Sequence, residues 1–197
     1  MIGGVLILAA GESTRFGEDK RRARLPVTGH TLLEATIDRY RSVFAHLRVV
    51  LREGEDKLAM SAGLGPHEVI YSSRAAGGMG YSLADGIAAV ADWDYAFIAL
   101  ADMPFVHEST LKTLCQAMES ESQGAQGAII APAAAGRQGH PVGFSTALFR
   151  ELEQLTGDAG ARDVVHHHKD SVVRIELEDP GIFQDVDRPE DLATPRP

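Results

Sequence analysis

Apolar and polar positions alternate along this chain in a repeating strand-then-helix rhythm. Val5 to Leu8 is a short apolar run that predicts a strand, and Leu32, Leu33, Thr36, Ile37 and Tyr40 then recur at helical spacing. Leu47 to Leu51 predicts a second strand, followed by a helix over Glu55 to Leu64. Glu68 to Tyr71 predicts a third, and Leu83, Ile87 and Val90 mark the helix after it. Tyr95 to Leu100 is apolar throughout, as a fully buried strand requires, and Leu111 to Met118 is helical again. The rhythm loosens after Ser120 to Gly127, which predicts an exposed loop. Beyond it come a strand over Gly127 to Pro132, a turn and short strand over Gly139 to Ser145, and a helix over Thr146 to Leu155. A short helix through Val165, a late strand over Val172 to Leu177 and a frayed end at Pro195 to Pro197 complete the pattern.

Such alternation predicts an α/β fold of Rossmann-like type: a doubly wound, mostly parallel sheet with helices on both faces. No linker or internal repeat divides the chain, so residues 1–197 read as a single domain. In an open parallel sheet, ligands bind beyond the carboxyl ends of the strands. The segments Ala9 to Lys20, Ser72 to Ser82 and Ala101 to Pro104 each follow a strand, so all three are expected to open on one edge.

Composition narrows the function classes. The 197 residues are 44% hydrophobic and 24% charged, ordinary for a globular protein. No apolar run reaches the roughly 18 residues of a membrane span, and Met1-Ile2 leads directly into the first strand without a signal-peptide pattern. The single Cys115 sits in an apolar-periodic stretch and reads as a core residue in a reducing, cytoplasmic protein. The net charge of −9 argues against nucleic acid as a partner. Anionic ligands must therefore meet local positive features, and the dense basic cluster is Lys20, Arg21, Arg22 and Arg24.

That cluster follows the most distinctive segment, Leu8-Ala-Ala-Gly-Glu-Ser-Thr-Arg-Phe-Gly-Glu-Asp-Lys20. Gly11 and Gly17 allow a tight turn and close backbone approach, and successive amides form an anion cradle. Arg15 and Lys20 add charge-assisted contacts to phosphate. The loop reads as a triphosphate site formed by Leu8, Ala9, Ala10, Gly11 and Ser13 with these cations, yet it is neither a Walker A loop nor a dinucleotide fingerprint. An ordinary strand-to-helix turn with surface charges is the alternative. Which of Lys20, Arg21 and Arg22 reaches the phosphates is open.

Other segments carry further candidate chemistry. Asp102 ends the most apolar strand, where a carboxylate is costly unless it meets a ligand or partner. It suits magnesium, which takes one or two carboxylates beside substrate phosphates; a turn or N-cap aspartate is the alternative. Asp185 and Asp187 lie two apart and can face one site or both face water. In the Gly-rich stretch Ser73 to Ser82, the backbone of Gly78 and Gly80 can bond a base or ribose, while Ser82 does so or caps a helix. Gly139, His140 and Pro141 display an imidazole at a loop. In Gly157-Asp-Ala-Gly-Ala-Arg162, Asp158 can cap a helix and Arg162 can hold a phosphate bidentately, or the two form a solvent ion pair. His166, His167 and His168 are consecutive on a helix, about 100° apart, and read as a solvated end rather than a metal site.

These segments, in this order, resemble the MobA/MocA-like nucleotidyltransferases, which attach a nucleotide to the terminal phosphate of molybdopterin. The resemblance rests on LAAGESTRFG with Asp19-Lys20-Arg21, G-M-G-x-S, LADMP, G-H-P-V, G-D-x-G-A-R and D-x-D-R-P-E-D, the last with Arg188 where the family has Thr. The Ala-Ala-Gly form looks like the cytidylyltransferase branch. The resemblance implies transfer of CMP from CTP to molybdopterin or the molybdenum cofactor, with pyrophosphate released. It implies Mg2+ on Asp102 and Asp187; catalytic Arg15, Lys20 and Asp102; nucleotide contacts from Gly78, Gly80, Ser82 and Asp102; and acceptor contacts from Gly139, His140, Pro141, Asp158, Gly160 and Arg162. A client molybdoenzyme or its maturation factor is an implied partner. A GTP-dependent enzyme, an enzyme with another acceptor, and a cofactor-carrying chaperone are the alternative readings.

Overall fold

A computed structural model describes residues 1–11, 16–17, 19–121 and 127–192. Its strands are β1 (Gly3–Leu8), β2 (His46–Arg52), β3 (Val69–Ser72), β4 (Tyr95–Leu100), β5 (Ile129–Ala134), β6 (Arg137–Gln138), β7 (Val142–Ser145) and β8 (Val172–Glu176). Its α-helices are α1 (Leu32–Arg41), α2 (Asp56–Ser61), α3 (Met79–Ala88), α4 (Glu108–Glu121), α5 (Phe149–Leu152) and α6 (Arg162–His167). The strands form one sheet in the order β3-β2-β1-β4-β7-β5-β6, with β8 also paired to β5.

Strand alternation builds a core on each face of this sheet. Val5 and Ile7 of β1 pack with Val49, Leu51, Phe97 and Ala99 against Leu33, Ile37 and Tyr40 of α1 and Leu111, Leu114 and Met118 of α4. Leu6 and Leu8 point the other way, with Val50, Ala96 and Ile98, against Leu83 and Ile87 of α3 and Leu152 and Val164 near α5 and α6. The doubly wound arrangement is thus present, with helices on both faces. The helix start at α1 is local chemistry: Thr31 Oγ1 accepts from the Glu34 amide and Glu34 Oε2 accepts from the Thr31 amide, a closed capping box.

β1, β2, β3 and β4 are mutually parallel. β7 runs antiparallel to both β4 and β5, and β8 pairs parallel with β5. The reversal follows from the short Ala135-Gly136 connection after β5, where φ is 50° and 75° and the chain turns back in a two-residue hairpin. Returning, the chain pairs as β6, bulges at Gly139-His140-Pro141 and pairs again as β7. The expected turn and short strand over Gly139 to Ser145 are this bulge and β7. The expected helix over Thr146 to Leu155 is a 3-10 turn, Thr146–Leu148, followed by one turn of α5. The expected helix over Glu55 to Leu64 is the six-residue α2. The expected loop at 120–127 falls largely on residues 122–126, and the frayed end on residues 195–197, both outside the described residues.

Candidate functional site

The carboxyl ends of β1 and β4 floor a cavity of about 730 Å³, in the range that holds a nucleotide-sized ligand. Leu8, Ala9, Ala10 and Gly11 line it, as do Lys20, Arg52, Gly78, Met79, Ser82, Asp102, Asp158 and Asp187. Three loops that follow different strands thus meet on one edge of the sheet. The first is fastened at its root: the Ala9 amide donates to the Val50 carbonyl and the Ala101 amide to that of Leu8. Ser13 and Arg15, two residues expected in this loop, lie outside the described residues.

The floor carries two carboxylates with an ammonium between them. Lys20 Nζ donates to Asp102 Oδ2 at 2.6 Å, to Asp187 Oδ1 at 3.1 Å and to the Val186 carbonyl at 3.1 Å. Asp187 reaches this point because the Val186 amide donates to the Asp102 carbonyl, at 2.9 Å, which lays the C-terminal segment along the end of β4. Asp191 accepts from the amides of Asp187 and Arg188 and holds the turn that follows. Asp185 is exposed and does not line the cavity.

Burial pushes the Asp102 carboxyl above its ordinary range, and neighbouring Asp185 adds to this; the Lys20 charge offsets it only in part. Asp102 Oδ1 is buried and has no hydrogen-bond partner among the described residues. A buried carboxylate oxygen left unpaired is expensive, and a bound cation would satisfy it. With Asp187 alongside, the donor set is hard oxygen, the set that magnesium or manganese takes. The residues therefore fit a divalent metal.

Of the three cations left open by the sequence, the structure separates the roles. Both Lys20 and Arg21 line the cavity, but the Arg21 guanidinium is taken up by the protein: Nη1 donates to the Ala9 carbonyl at 2.5 Å and to Glu55 Oε2 at 2.9 Å, Nη2 to Glu55 Oε1 at 2.6 Å, and Nε to Asp19 Oδ1 at 2.7 Å. Arg22 is exposed and pairs with Asp19 at 3.6 Å.

The wall opposite the carboxylates is the start of α3. Its N-cap is Gly78, at φ 120°, and Ser82 lies within the first turn, so Ser82 faces the cavity and is not a cap. The first turn of a helix presents amides and the positive end of its dipole. Gly78 admits no side chain, since a Cβ would collide with Asp158 Oδ1 and Gly157. Gly80 is buried and does not line the cavity; its amide donates to the Gly157 carbonyl at 2.7 Å. The Gly157-to-Arg162 element is therefore divided. Asp158 joins the cavity wall beside Gly78, and Gly160 packs against Met79, while Arg162 begins α6. Asp158 caps nothing, and no Asp158–Arg162 ion pair forms among the described residues.

The other side of Asp102 holds the bulge. The Gly139 amide donates to the Pro132 carbonyl and the His140 amide to that of Ile182, and Pro141 is buried. The pairing of Ile98 with Val142 brings His140 level with the end of β4. Burial lowers the His140 pKa; the charge of Asp102 offsets this in part and that of Arg162 adds to it. His140 Nδ1 is buried without a partner among the described residues. Neither His140 nor Arg162 lines the cavity that Lys20 and Ser82 line. The triple histidine is elsewhere: His168 Nε2 lies 2.6 Å from Glu151 Oε2 and stacks on His167. Arg52 and Glu55 belong to no motif of the sequence, and their one signal there is position, at and just after the end of the strand beside β1.

The cavity thus joins an ammonium and a carboxylate pair to the backbone of Ala9, Ala10 and Gly11 and the start of α3. This chain belongs to the family of the MobA-like NTP transferase domain, whose model matches residues 5–172. It is thus a nucleotidyltransferase of that family. It is 29% identical, over 191 residues, to the nicotine blue oxidoreductase of Paenarthrobacter nicotinovorans, with 95% of this chain and 93% of that protein covered. The crystal structure of Rv0371c from Mycobacterium tuberculosis H37Rv matches with a TM-score of 0.77 at 29% identity, covering 96% of this chain and 94% of that one. Its complex with manganese matches at 0.75 and 26% identity, covering 97% and 96%. No described helix is long and apolar enough to cross a membrane.

Proposed function

We propose that residues 1–197 act as one cytoplasmic transferase domain that moves CMP from CTP to the terminal phosphate of molybdopterin or the molybdenum cofactor, releasing pyrophosphate. The observation that carries this reading is the buried, unpartnered Asp102 Oδ1 beside Asp187 at the floor of the cavity. Asp102 and Asp187 would hold Mg2+, which neutralises phosphate charge and orients the reacting groups when bound. That the mycobacterial relative forms a complex with manganese supports a divalent metal in this family. The Ala10 and Gly11 backbone, Arg15 and Lys20 would grip the β- and γ-phosphates and stabilise the charge that develops on the leaving pyrophosphate. Gly78 and Ser82 would orient the base and ribose from the first turn of α3. His140 and Arg162 would hold the acceptor phosphate on the other side of the carboxylates. An acceptor oxygen then attacks the α-phosphorus, the bond to the β-phosphate oxygen breaks, and no covalent enzyme intermediate forms. Positioning and electrostatics carry most of the rate in such a reaction.

The oxidoreductase named among the relatives has a different chemistry; the carboxylate pair with Lys20 favours transfer here. The test is Asp102→Ala. Pyrophosphate release with CTP and molybdopterin should fall by at least about 100-fold, the cost of losing a main electrostatic group, while the cofactor still binds. Unchanged release in that variant would overturn the assignment.

A further inference from the structure

We propose that Glu55, on the turn after β2, is a positioning residue for triphosphate binding and acts through Arg21. This rests on the phosphate-binding reading of the Leu8-to-Lys20 loop. Lys20 and Arg21 are neighbours in one 3-10 turn, Lys20–Arg22, and their side chains leave it in different directions. Lys20 goes to the carboxylates. Arg21, only 5% exposed, goes to Glu55, Asp19 and the Ala9 carbonyl. Glu55 takes both terminal nitrogens of the guanidinium, a geometry a lysine cannot reproduce. Glu55 is in turn held by the Arg52 amide at 2.9 Å, so it is anchored to the end of β2.

Two consequences follow for the site. The Ala9 carbonyl is fixed by Arg21 while its amide is fixed by Val50, so the peptide planes that lead into Ala10 and Gly11 have one orientation. The turn that carries Lys20 is pinned at the adjacent residue, which aims its ammonium at the cavity. Arg21 borders the cavity, but its terminal nitrogens are committed to Glu55 and the Ala9 carbonyl, and Glu55 does not line the cavity. A purely stabilising role for the pair is the competing explanation, and ligands of different phosphate content separate the two.

The experiment is equilibrium binding of CTP, inorganic pyrophosphate and CMP to the full chain and to Glu55→Gln, Arg21→Gln and the double variant, with thermal unfolding measured on each. Loss of a charge-assisted pair should weaken CTP and pyrophosphate by about tenfold or more and CMP by less than about threefold. The double variant should bind no worse than the weaker single, since both act through one guanidinium. Equal losses for CTP and CMP, additive losses, or unchanged pyrophosphate binding would overturn the proposal. Arg21→Lys, which keeps the charge and loses the fork, should show the same phosphate selectivity and serves if either glutamine variant fails to fold. Failure of the parent protein to bind CTP or pyrophosphate at all would instead defeat the phosphate-loop reading.

Discussion

Lys20 binds the same two carboxylates that would hold the proposed metal. Its ammonium bridges Asp102 Oδ2 and Asp187 Oδ1 at 2.6 and 3.1 Å, with all three side chains at least partly withdrawn from solvent. A divalent ion arriving alone must displace that ammonium, whereas one arriving with a triphosphate brings new oxygens for Lys20 to bind. Replacing Lys20 by Met keeps much of the stem and removes the competitor. A hydrogen bond to a charged group is worth about 1.5–3 kcal/mol. Relieving that competition should tighten Mn2+ binding about 10- to 100-fold in the absence of nucleotide. The same variant should bind CTP more weakly, because the ammonium also serves the phosphates. Electron paramagnetic resonance titration of free Mn2+ measures the first effect directly. Adding Asp102→Asn to Lys20→Met should cancel the gain. Mn2+ affinity that is unchanged or weaker in Lys20→Met would refute the reasoning, because the ammonium would then not occupy the metal's place.

Two further predictions concern stability. Burial raises the Asp19 and Glu55 carboxyls, but the hydrogen bonds and charge of Arg21 outweigh it and hold both below their ordinary range. Depressed carboxylates stabilise the fold above the unfolded pKa and lose that contribution as pH falls through the folded value. The stability gap between the parent and Arg21→Gln, read from urea midpoints, should therefore be constant from about pH 7 to about pH 5 and narrow below about pH 4; a gap that widens toward acid would contradict the pairing. The Tyr40 hydroxyl is buried without a partner among the described residues. Tyr40→Phe should leave the unfolding midpoint unchanged or raise it, and a loss of more than about 1 kcal/mol would show that the hydroxyl is satisfied in solution.

Much of this architecture is legible in local pattern. The apolar runs at β1, β2 and β4 and the helical spacing of Leu33, Ile37 and Tyr40 depend only on which faces must be buried, and the sheet edge that collects the loops follows from strand direction. What local pattern cannot carry is contact between distant segments. The start of α4 is an example: the His107 amide and Thr110 Oγ1 donate to Asp179, some seventy residues away, so the helix begins at Glu108, ahead of its apolar stretch. The antiparallel course of β7 is another, because a buried strand reads alike in either direction. Lys20 and Arg21 are adjacent cations in sequence, and only the place of Glu55 beyond β2 commits one to a protein carboxylate there while the other reaches Asp102 and Asp187. Asp158 and Arg162 share one short motif, yet the first lies beside Gly78 in the cavity wall and the second begins α6 and does not line the cavity.

The most direct test of the central claim is pyrophosphate release by the purified protein with magnesium and molybdopterin, offered CTP, GTP, ATP and UTP in turn, with the joined product identified by mass. Release with CTP, together with a product in which CMP is attached to molybdopterin, is the predicted result. Release with GTP in preference to CTP, or no release with any nucleotide while molybdopterin still binds, would contradict it.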